Sequence, residues 1–352
     1  MAYTTIKKPS DYFNTVLYTG NGATNAITGV NFQPDLIWIK DRDTAGNSHI
    51  WTDSVRGNTK NIYSNLTNAE GTKTDRVTSF DTDGFTLGAD ASQGANDNGS
   101  SQVAWNWLAN GAGVANTDGS ISSTVSVNTT SGFSIVKYVG TGSGSNSTVG
   151  HGLGVTPSII IVKSLDSVAD WVVWNKDLPS QTNNYLRLNT NQAIGTTTNY
   201  WNSSAPTNQV FGVSPDGYNN NKSGEDTIAY CFAEKQGYSK FGSYVGNGNA
   251  DGTFVYTGFK PAFVMIKNTS ATGVWRMWDN KRDVDNPNTA NFQANASNAE
   301  YNDPAVAIDF LSNGFKPRST DSSYNGSGAT YIYMAFAEAP LVGSNNVPCT
   351  AR

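Results

Sequence analysis

The fold is decided by a stretch that occurs three times: Pro34-Asp-Leu-Ile-Trp-Ile-Lys40, Pro157-Ser-Ile-Ile-Ile-Val-Lys163 and Pro261-Ala-Phe-Val-Met-Ile-Lys267. Each time, a proline is followed by an unbroken run of mostly apolar residues that ends in lysine. A run of this kind is typical of a β-strand that is buried on both faces. Its recurrence predicts that the chain is built from internal repeats.

Four further landmarks accompany this stretch in the same order each time. They are a strand that runs into a glycine turn, a strand that carries tryptophan, an Asp-Gly or Asn-Gly turn before an aromatic residue, and a closing strand rich in aromatic residues. They lie at 16–22, 136–142 and 242–248; at 49–53, 171–175 and 275–279; at 80–85, 213–218 and 310–315; and at 103–109, 228–234 and 331–338. Five landmarks in a fixed order predict three copies of one domain.

The landmarks also predict the domain boundaries. Copy 1 covers residues 1–110, copy 2 covers 132–238 and copy 3 covers 239–340, with a C-terminal tail at 341–352. Residues 111–131 contain almost no bulky side chains, so we expect a linker there and a flexible joint between copies 1 and 2. A much shorter connection predicts a tighter joint between copies 2 and 3.

The fold class predicted from these patterns is all-β. Helical periodicity is nearly absent, and the closing strand alternates with apolar residues on both faces, as a central strand does. Five to eight strands in roughly 105 residues favour three tandem β-sandwich repeats of jelly-roll or lectin-like type. A propeller is the alternative, because three copies could supply several four-stranded blades.

Composition and charge exclude several classes of protein. The formal net charge is −5, the sequence pI is about 5.0, and no cluster of Lys and Arg occurs, which argues against a nucleic-acid binder. The nine Trp, 16 Tyr and 15 Phe residues argue against disorder. The first residues lack the apolar core of a signal peptide, and no apolar run is long enough for a membrane span, so we expect synthesis in the cytoplasm.

Residues that could support catalysis are few and do not recur. His49 and His151 occupy different landmarks, and Cys231 lies in an apolar run that predicts a buried free thiol. A glycosidase needs two carboxylates, and the candidates are Asp53, Asp81 and Asp83 in copy 1, Asp216 and Glu234 in copy 2, and Asp279 and Glu338 in copy 3. Asp83 and Asp216 precede turn glycines, where copy 3 has Asn, and Glu234 and Glu338 end the closing strand, where copy 1 has Asn110. No spacing of ligands for zinc or for a complete calcium loop is present. We therefore expect no catalytic residue, no metal and no cofactor.

Binding is the remaining chemistry. Aromatic rings stack on sugar faces and amides bond to hydroxyl groups, so a loop-rich β-scaffold with both could bind a glycan, although most rings on strands belong to a core. Trp201 and Tyr200 stand in a polar stretch, and Asn219, Asn220 and Asn221 form an amide-rich one. These five residues are the predicted ligand-binding residues.

The landmarks also resemble a known family. The pattern from Gly29 to Lys40, the nearby Asp53-Ser-Val-Arg-Gly57, the closing strands of the type Tyr-x-x-Phe-Ala-Glu and the tail 350–352 are similar to repeat proteins encoded among the virion genes of tailed bacteriophages, especially phages of marine bacteria. The resemblance covers nearly the whole chain and implies a virion structural or tail-fibre-like protein. Asp35 is replaced by Ser158 and Ala262, so it is not a repeated functional residue.

These observations lead to one hypothesis and two alternatives. The hypothesis is a non-enzymatic protein of the virion surface, a tail-fibre or head-decoration component present in several copies, whose partners are other virion proteins and host-surface glycans. Release by host lysis explains why no secretion signal is needed. The alternatives are a polysaccharide depolymerase or glycosidase of the virion, and a capsid cement protein without a ligand.

Overall fold

The computed structural model describes residues 3–91, 93–142, 147–213, 219–342 and 348–349. The protein is all-β, and every ladder between its strands is antiparallel, as the sequence predicted for the fold class. Two short 3-10 helices occur at Pro9–Asp11 and Pro304–Val306. No helix in the described part of the chain has the length and apolarity needed to cross a membrane.

Strands of similar length follow one another in a similar order in each copy. Copy 1 contains β1 (Phe13–Thr19), β2 (Asn25–Ile27), β3 (Leu36–Asp41), β4 (Ile50–Asp53), β5 (Gly57–Tyr63), β6 (Gly71–Thr72), β7 (Val77–Asp81), β8 (Gly84–Leu87) and β9 (Ser101–Trp107). The segment between copies 1 and 2 contains β10 (Val114–Asn116) and β11 (Ser123–Asn128). Copy 2 contains β12 (Phe133–Val139), β13 (Thr148–Gly150), β14 (Ile159–Ser164), β15 (Val172–Asn175), β16 (Asn184–Arg187), β17 (Gly195–Thr196), β18 (Val210–Gly212) and β19 (Asp226–Phe232). Copy 3 contains β20 (Ser239–Val245), β21 (Val255–Tyr256), β22 (Phe259–Asn268), β23 (Trp275–Asp279), β24 (Ala290–Gln293), β25 (Tyr301–Asn302), β26 (Ile308–Leu311), β27 (Gly314–Pro317) and β28 (Thr330–Pro340).

Each copy forms a large sheet with the same strand order. The order is β1-β9-β3-β4-β5-β6 in copy 1 and β20-β28-β22-β23-β24-β25 in copy 3. In copy 2 the corresponding order β12-β19-β14-β15-β16-β17 is preceded by β10 and β11, which makes eight strands. The closing strand is therefore the second strand of the common order, and it lies beside the apolar run that follows each proline, which explains why both are buried on two faces.

A small sheet covers one face of each large sheet. The small sheets are β2-β8-β7, β13-β18 and β21-β27-β26. In copy 1 a hydrophobic cluster joins Ile37 and Ile39 of the large sheet to Phe85 and Leu87 of the small one. Copies 2 and 3 have clusters of the same kind. Each copy therefore buries a core of its own.

The opposite faces of the three large sheets share a single hydrophobic cluster. At its centre lie three rings from the same position of the closing strands, Trp107, Phe232 and Phe336. Their centroids are 6.3, 5.7 and 6.0 Å apart in the pairs 107–232, 107–336 and 232–336, and each pair is edge-to-face. The nearly equal distances place the rings around a pseudo-threefold axis, because each copy contributes one equivalent residue.

Backbone contacts join the copies in cyclic order. At every junction a residue after the fifth strand of one copy donates its N–H to a carbonyl that follows the apolar run of the next copy. These bonds are Glu70 N to Leu165 O (2.7 Å), Ile194 N to Thr269 O (3.2 Å) and Glu300 N to Arg42 O (2.8 Å). The third bond returns from copy 3 to copy 1, so the three copies close into a ring.

Residues 111–131 were expected to form a flexible linker, but they contain two strands. Strands β10 and β11 lie within that segment, and β11 pairs with β12 along its length. Val125 and Val127 lie on one face of β11 and pack against the core of copy 2, whereas Ser126 between them lies on the other face. A segment without bulky residues can still be a strand when a neighbouring sheet supplies the partner.

Some predicted features lie outside the described residues. They are the tail residues 343–347 and 350–352 and most of the turn of copy 2 at 214–218, including Asp216. Of the tail, Val342 pairs with Pro348 in an isolated bridge.

Candidate functional site

The five predicted ligand-binding residues are buried and lie together in copy 2. Trp201 is 1% exposed, and its Nε1 donates to the carbonyl of Asn184 at 3.0 Å. Asn219 donates to the hydroxyl of Tyr200 at 2.9 Å, and Asn220 donates to the backbone carbonyl of Tyr200. Trp201 was expected to be available to a ligand because it stands in a polar stretch, but its ring packs into the core of copy 2.

Asn221 has a structural role that recurs in all three copies. Its Oδ1 accepts the backbone N–H of Thr141 in the glycine turn, and Asn96 and Asn325 are buried in the same way in copies 1 and 3. The repetition of Asn at this position could have indicated a structural residue from the sequence. With all five side chains enclosed, no exposed surface supports ligand binding at them in this structure.

The histidines and the buried thiol are also enclosed. Burial lowers the pKa of His49 well below its ordinary value, and its Nδ1 accepts the indole N–H of Trp38 at 2.9 Å. Burial also lowers the pKa of His151, which bonds to the backbone carbonyl of Thr207. Burial raises the pKa of Cys231, so its thiol stays protonated and unreactive.

The carboxylates considered for catalysis or calcium serve local contacts. Asp83 accepts the backbone N–H groups of Gly29 and Asn31, and Asp81 accepts the hydroxyl of Thr86. Glu234 pairs with Lys240 on the surface. Across the described ranges, no group of three or more His, Cys, Asp or Glu side chains has the arrangement of a metal site.

Buried charged residues with several hydrogen-bond partners lie at two of the junctions between copies. Strand registers define equivalent positions: Trp38, Ile161 and Met265 lie opposite Trp105, Tyr230 and Met334 of the closing strands. On this basis, each junction contains four equivalent positions. The first is the last residue of the fourth strand in the order of the large sheet, and the second lies three residues later. The third follows the next strand along the chain, and the fourth lies on the closing strand of the next copy.

At the junction of copies 1 and 2 these positions form a buried ionic cluster. Asp53 accepts N–H bonds from the backbone of Val55 and Arg56 and from the Arg56 guanidinium, and both charged side chains are at most 1% exposed. Arg56 also donates to Glu70 at 3.0 Å. From copy 2, the hydroxyl of Tyr230 donates to Asp53 at 2.7 Å. A charged pair is therefore completed by a donor from the neighbouring copy.

The junction of copies 3 and 1 repeats this arrangement. Asp279 accepts the backbone N–H and the guanidinium of Arg282, which also donates to Glu300 at 3.2 Å. Copy 1 supplies the indole N–H of Trp105, 3.0 Å from Asp279. Copy 1 also supplies Arg42, which donates two bonds of 2.9 Å to Glu300. Bidentate pairing of this kind is the strongest geometry for Arg and a carboxylate.

At the junction of copies 2 and 3 all four positions are different. Asn175 replaces the Asp, Leu178 replaces the Arg, and Ile194 replaces the Glu; Leu178 is part of the shared cluster and Ile194 packs against it. The closing strand of copy 3 contributes Met334, which has no polar hydrogen to donate. The amide nitrogen of Asn175 is buried without a hydrogen-bond partner among the described atoms. At these four positions the junction is therefore uncharged and mostly apolar, and its hydrogen bonds between copies go to backbone carbonyls, as those from Lys267 and Trp275 do.

The lysine that ends each apolar run is buried as well. Burial lowers the pKa of Lys40 and of Lys163 to about 8, and that of Lys267 to about 7. Lys163 donates to the carbonyl of Thr67 in copy 1, and Lys267 donates to that of Asn191 in copy 2. In copies 2 and 3 this lysine thus bonds to a backbone carbonyl of the preceding copy, whereas Lys40 bonds to the carbonyl of Asp41 in its own copy.

The charged residues at each of the two polar junctions join neighbouring copies, and we call each such set a lock. No reacting centre is built from them. The acids are neutralised by adjacent guanidinium groups, and the pairs Asp53–Arg56 and Asp279–Arg282 are closed to solvent. Sequence reasoning missed the locks because each Asp, Arg and Glu looks ordinary alone. The signal was present in the spacing of Asp53 and Arg56 and of Asp279 and Arg282, which copy 2 lacks.

Comparison with known proteins places the chain in a family. No curated protein and no solved structure matches it. One family profile matches residues 8–340, which spans all three copies and their junctions. The chain belongs to that family, which is described as a domain of unknown function, DUF7483.

Proposed function

We propose that each copy is a β-sandwich of the jelly-roll or lectin-like kind, and that the chain is a tandem array of three. The support is that each large sheet shares a hydrophobic cluster with its own small sheet. Two sheets packed over one core are the defining feature of a sandwich. The shared cluster then joins the three sandwiches into one body.

We further propose that the protein is a non-enzymatic component of a phage virion surface, a tail-fibre or head-decoration protein. One observation carries this function: the ionisable residues that recur between copies are buried at the junctions, where they stabilise the array. A scaffold needs such internal pairing, whereas an enzyme needs reactive groups that solvent and substrate can reach. The family resemblance of the sequence supports the same function.

Host-surface glycans are the proposed ligands outside the particle. Tyr256 is the exposed aromatic residue that best fits this role, because its side chain is 52% exposed and it lines a groove with Glu234, Gln236 and Lys240. A ring beside carboxylate, amide and ammonium groups can stack on a sugar and bond to its hydroxyls. Binding of Tyr256→Ala to host cells should fall at least about tenfold, whereas Tyr301→Ala, an exposed tyrosine outside this groove, should bind as the wild type.

The experiment that tests the function is cryo-EM of salt-washed particles from the phage that encodes the chain. We expect density for the three-copy ring on the tail or the capsid. Density on fibres would assign receptor binding, and density over the capsid lattice would assign decoration. Absence of the chain from washed particles would refute a virion role.

The depolymerase alternative makes a different prediction. An enzyme would shorten host polysaccharide, and Asp83→Asn or Glu234→Gln would abolish the cleavage. We expect no cleavage by the wild type, because Asp83 is bonded to a turn and Glu234 to a lysine. Cleavage that either substitution removes would replace the binding hypothesis by an enzymatic one.

A further inference from the structure

Dipeptides of Asn or Asp followed by Gly recur along this chain. In such a dipeptide the backbone nitrogen of glycine can attack the side-chain carbonyl carbon of the preceding residue, and the missing side chain of glycine leaves this attack unhindered. The sequence contains six Asn-Gly dipeptides, which begin at Asn21, Asn98, Asn110, Asn247, Asn313 and Asn325. It also contains four Asp-Gly dipeptides, which begin at Asp83, Asp118, Asp216 and Asp251.

The attack closes a five-membered succinimide ring. A bond forms between the glycine nitrogen and the side-chain carbon, the glycine nitrogen gives up its proton, and ammonia leaves from Asn or water leaves from a protonated Asp. Water then opens the ring at either carbonyl, which gives aspartate or isoaspartate. A hydrogen bond that holds the glycine N–H must break before the nitrogen can react. In a folded protein this bond therefore slows the reaction, because the backbone has to open locally first.

The fold holds the glycine N–H of all six Asn-Gly dipeptides. Gly314 is paired with Leu311 across the two-residue turn between β26 and β27, where the N–H after the turn donates to the carbonyl before it. The other five glycines donate over 2.7–2.9 Å to the carbonyls of Asn96, Gly20 and Asn325, to the carboxylate of Asp35 and to the hydroxyl of Tyr331; they are, in the same order, Gly22, Gly99, Gly248, Gly111 and Gly326. Asn98 and Asn110 are exposed, so at these two residues the bond of the glycine, and not burial of the asparagine, opposes the reaction.

Two of the Asp-Gly dipeptides are held in the same way. Gly84 is paired with Asp81 across the two-residue turn between β7 and β8, and Gly252 donates to the carbonyl of Pro317 at 3.1 Å. Asp216 and the glycine after it lie outside the described residues. The fourth dipeptide is therefore the one to compare with these.

Asp118 and Gly119 form the exception, in the turn between β10 and β11. The N–H of Gly119 has no hydrogen-bond partner among the atoms that the structure describes, whereas the next residue, Ser120, donates its N–H to the hydroxyl of Thr148 at 3.0 Å. Asp118 is exposed, and its carboxylate accepts the side-chain amide of Asn116 at 2.8 Å. The nucleophile is thus unrestrained and the reacting carboxyl group is open to water.

We propose that the fold confines succinimide chemistry to Asp118 and Gly119, among the Asn-Gly and Asp-Gly dipeptides it describes, and that Asp118 is the site where isoaspartate forms. Isoaspartate lengthens the main chain at this turn. Strand β10, on one side of the turn, is at the edge of its sheet, and its Val114 is 67% exposed. The ladder between β11 and β12 and the shared core do not include the modified residue. This chemistry is independent of the virion function, since it depends only on the backbone.

The experiment incubates the full chain at 37 °C and neutral pH, folded in buffer and unfolded in urea. Peptide mapping by mass spectrometry measures deamidation at each asparagine, and labelling by an isoaspartyl methyltransferase locates isoaspartate. In the unfolded chain the exposed residues Asn98 and Asn110 should deamidate at least about tenfold faster than in the folded chain. In the folded chain isoaspartate should appear at Asp118 before it appears at Asp83 or Asp251.

The chain offers a matched control within one molecule. The variant Asp118→Asn places an Asn-Gly dipeptide at the unrestrained site, and the natural dipeptide at Asn98 is equally exposed but has its glycine N–H bonded to the carbonyl of Gly20. In the folded variant, deamidation at position 118 should be at least about tenfold faster than at Asn98. In urea the two positions should react at similar rates. The comparison of the folded and unfolded wild type does not depend on this variant.

Three outcomes would overturn this assignment. The first is deamidation of Asn98 or Asn110 in the folded wild type at the rate measured in urea. The second is equal deamidation at position 118 and at Asn98 in an Asp118→Asn variant whose cooperative unfolding shows that it is folded. The third is isoaspartate that forms at Asp83 or Asp251 of the folded chain and not at Asp118.

Discussion

The junction between copies 1 and 2 and the junction between copies 2 and 3 occupy equivalent places but use opposite chemistry. The first buries Asp53, Arg56 and Glu70 under the hydroxyl of Tyr230. The second has uncharged residues at all four positions, among them Leu178 and Met334. A buried charge that loses its partner is costly, so the four positions can change only as a set. Each junction is therefore one energetic unit.

The charged junctions also restrict which surfaces can meet. Copy 2 presents a hydroxyl donor towards copy 1, whereas copy 3 presents a thioether towards copy 2. Exchanging the two would leave Asp53 without its donor and would place a phenol against an apolar surface. The locks therefore favour one cyclic order, as polar residues in other buried interfaces specify register.

The largest effect is expected from Asp53→Ala. It leaves the guanidinium of Arg56 buried without its closest partner, and we expect the free energy of unfolding to fall by about 3–5 kcal/mol. Denaturant unfolding followed by tryptophan fluorescence measures the change. Asn175→Ala at the equivalent position is the control and should cost about 1 kcal/mol, because its amide nitrogen has no partner among the described atoms and the substitution removes only the bond from the Asp177 N–H to its Oδ1. Equal losses in both variants would contradict the comparison.

The stability of the protein should depend on pH through Lys267, which lies at the apolar junction. Burial lowers the pKa of this lysine to about 7, so between pH 7 and 9.5 the unfolded chain binds more protons than the folded chain. Stability should therefore rise with pH in this window, by on the order of 2 kcal/mol from this residue.

Unfolding of Lys267→Met from pH 7 to 9.5 measures that contribution. The variant should show a smaller rise than the wild type. Lys40→Met is the matched control and should change the rise less, because the pKa of Lys40 is lowered only to about 8. A wild-type stability that does not change or falls in this window would show that Lys267 is not titrating as a buried lysine.

Removing the donor alone should have a smaller effect. Tyr230→Phe loses the bond to Asp53 but keeps the salt bridge, and we expect a loss of about 1.5 kcal/mol. Met334→Leu, at the equivalent position of the apolar junction, should change stability by less than about 1 kcal/mol. A loss for Met334→Leu as large as that for Tyr230→Phe would mean that packing, and not the hydrogen bond, is being measured.

The smallest effect is expected when the whole lock is replaced. The combined variant Asp53→Asn, Arg56→Leu, Glu70→Ile and Tyr230→Met copies the apolar junction into the polar one. Its stability should lie within about 1 kcal/mol of the wild type, although Asp53→Ala alone costs more, because no buried charge is left unpaired. Additive losses from the four substitutions would show that the junction is not a unit.

The sequence predicted the elements of this fold but not their closure into a ring. Strands and turns follow from local patterns, and the two-sided burial of β28 was visible in its apolar alternation. The junctions could not be predicted, because Asp53 and Tyr230 are 177 residues apart and neither is unusual in its own segment. Trp201 was misplaced for a related reason, since polar neighbours in the sequence do not reveal that a ring points into the core.

The central claim is that the three copies form one body with a shared core, and calorimetry of the intact chain tests it most directly. If the junctions hold the copies together, the chain unfolds in a single transition whose calorimetric and van't Hoff enthalpies agree. Separate transitions for individual copies, with a calorimetric enthalpy well above the van't Hoff value, would contradict the shared core. They would show that the three copies unfold as independent domains.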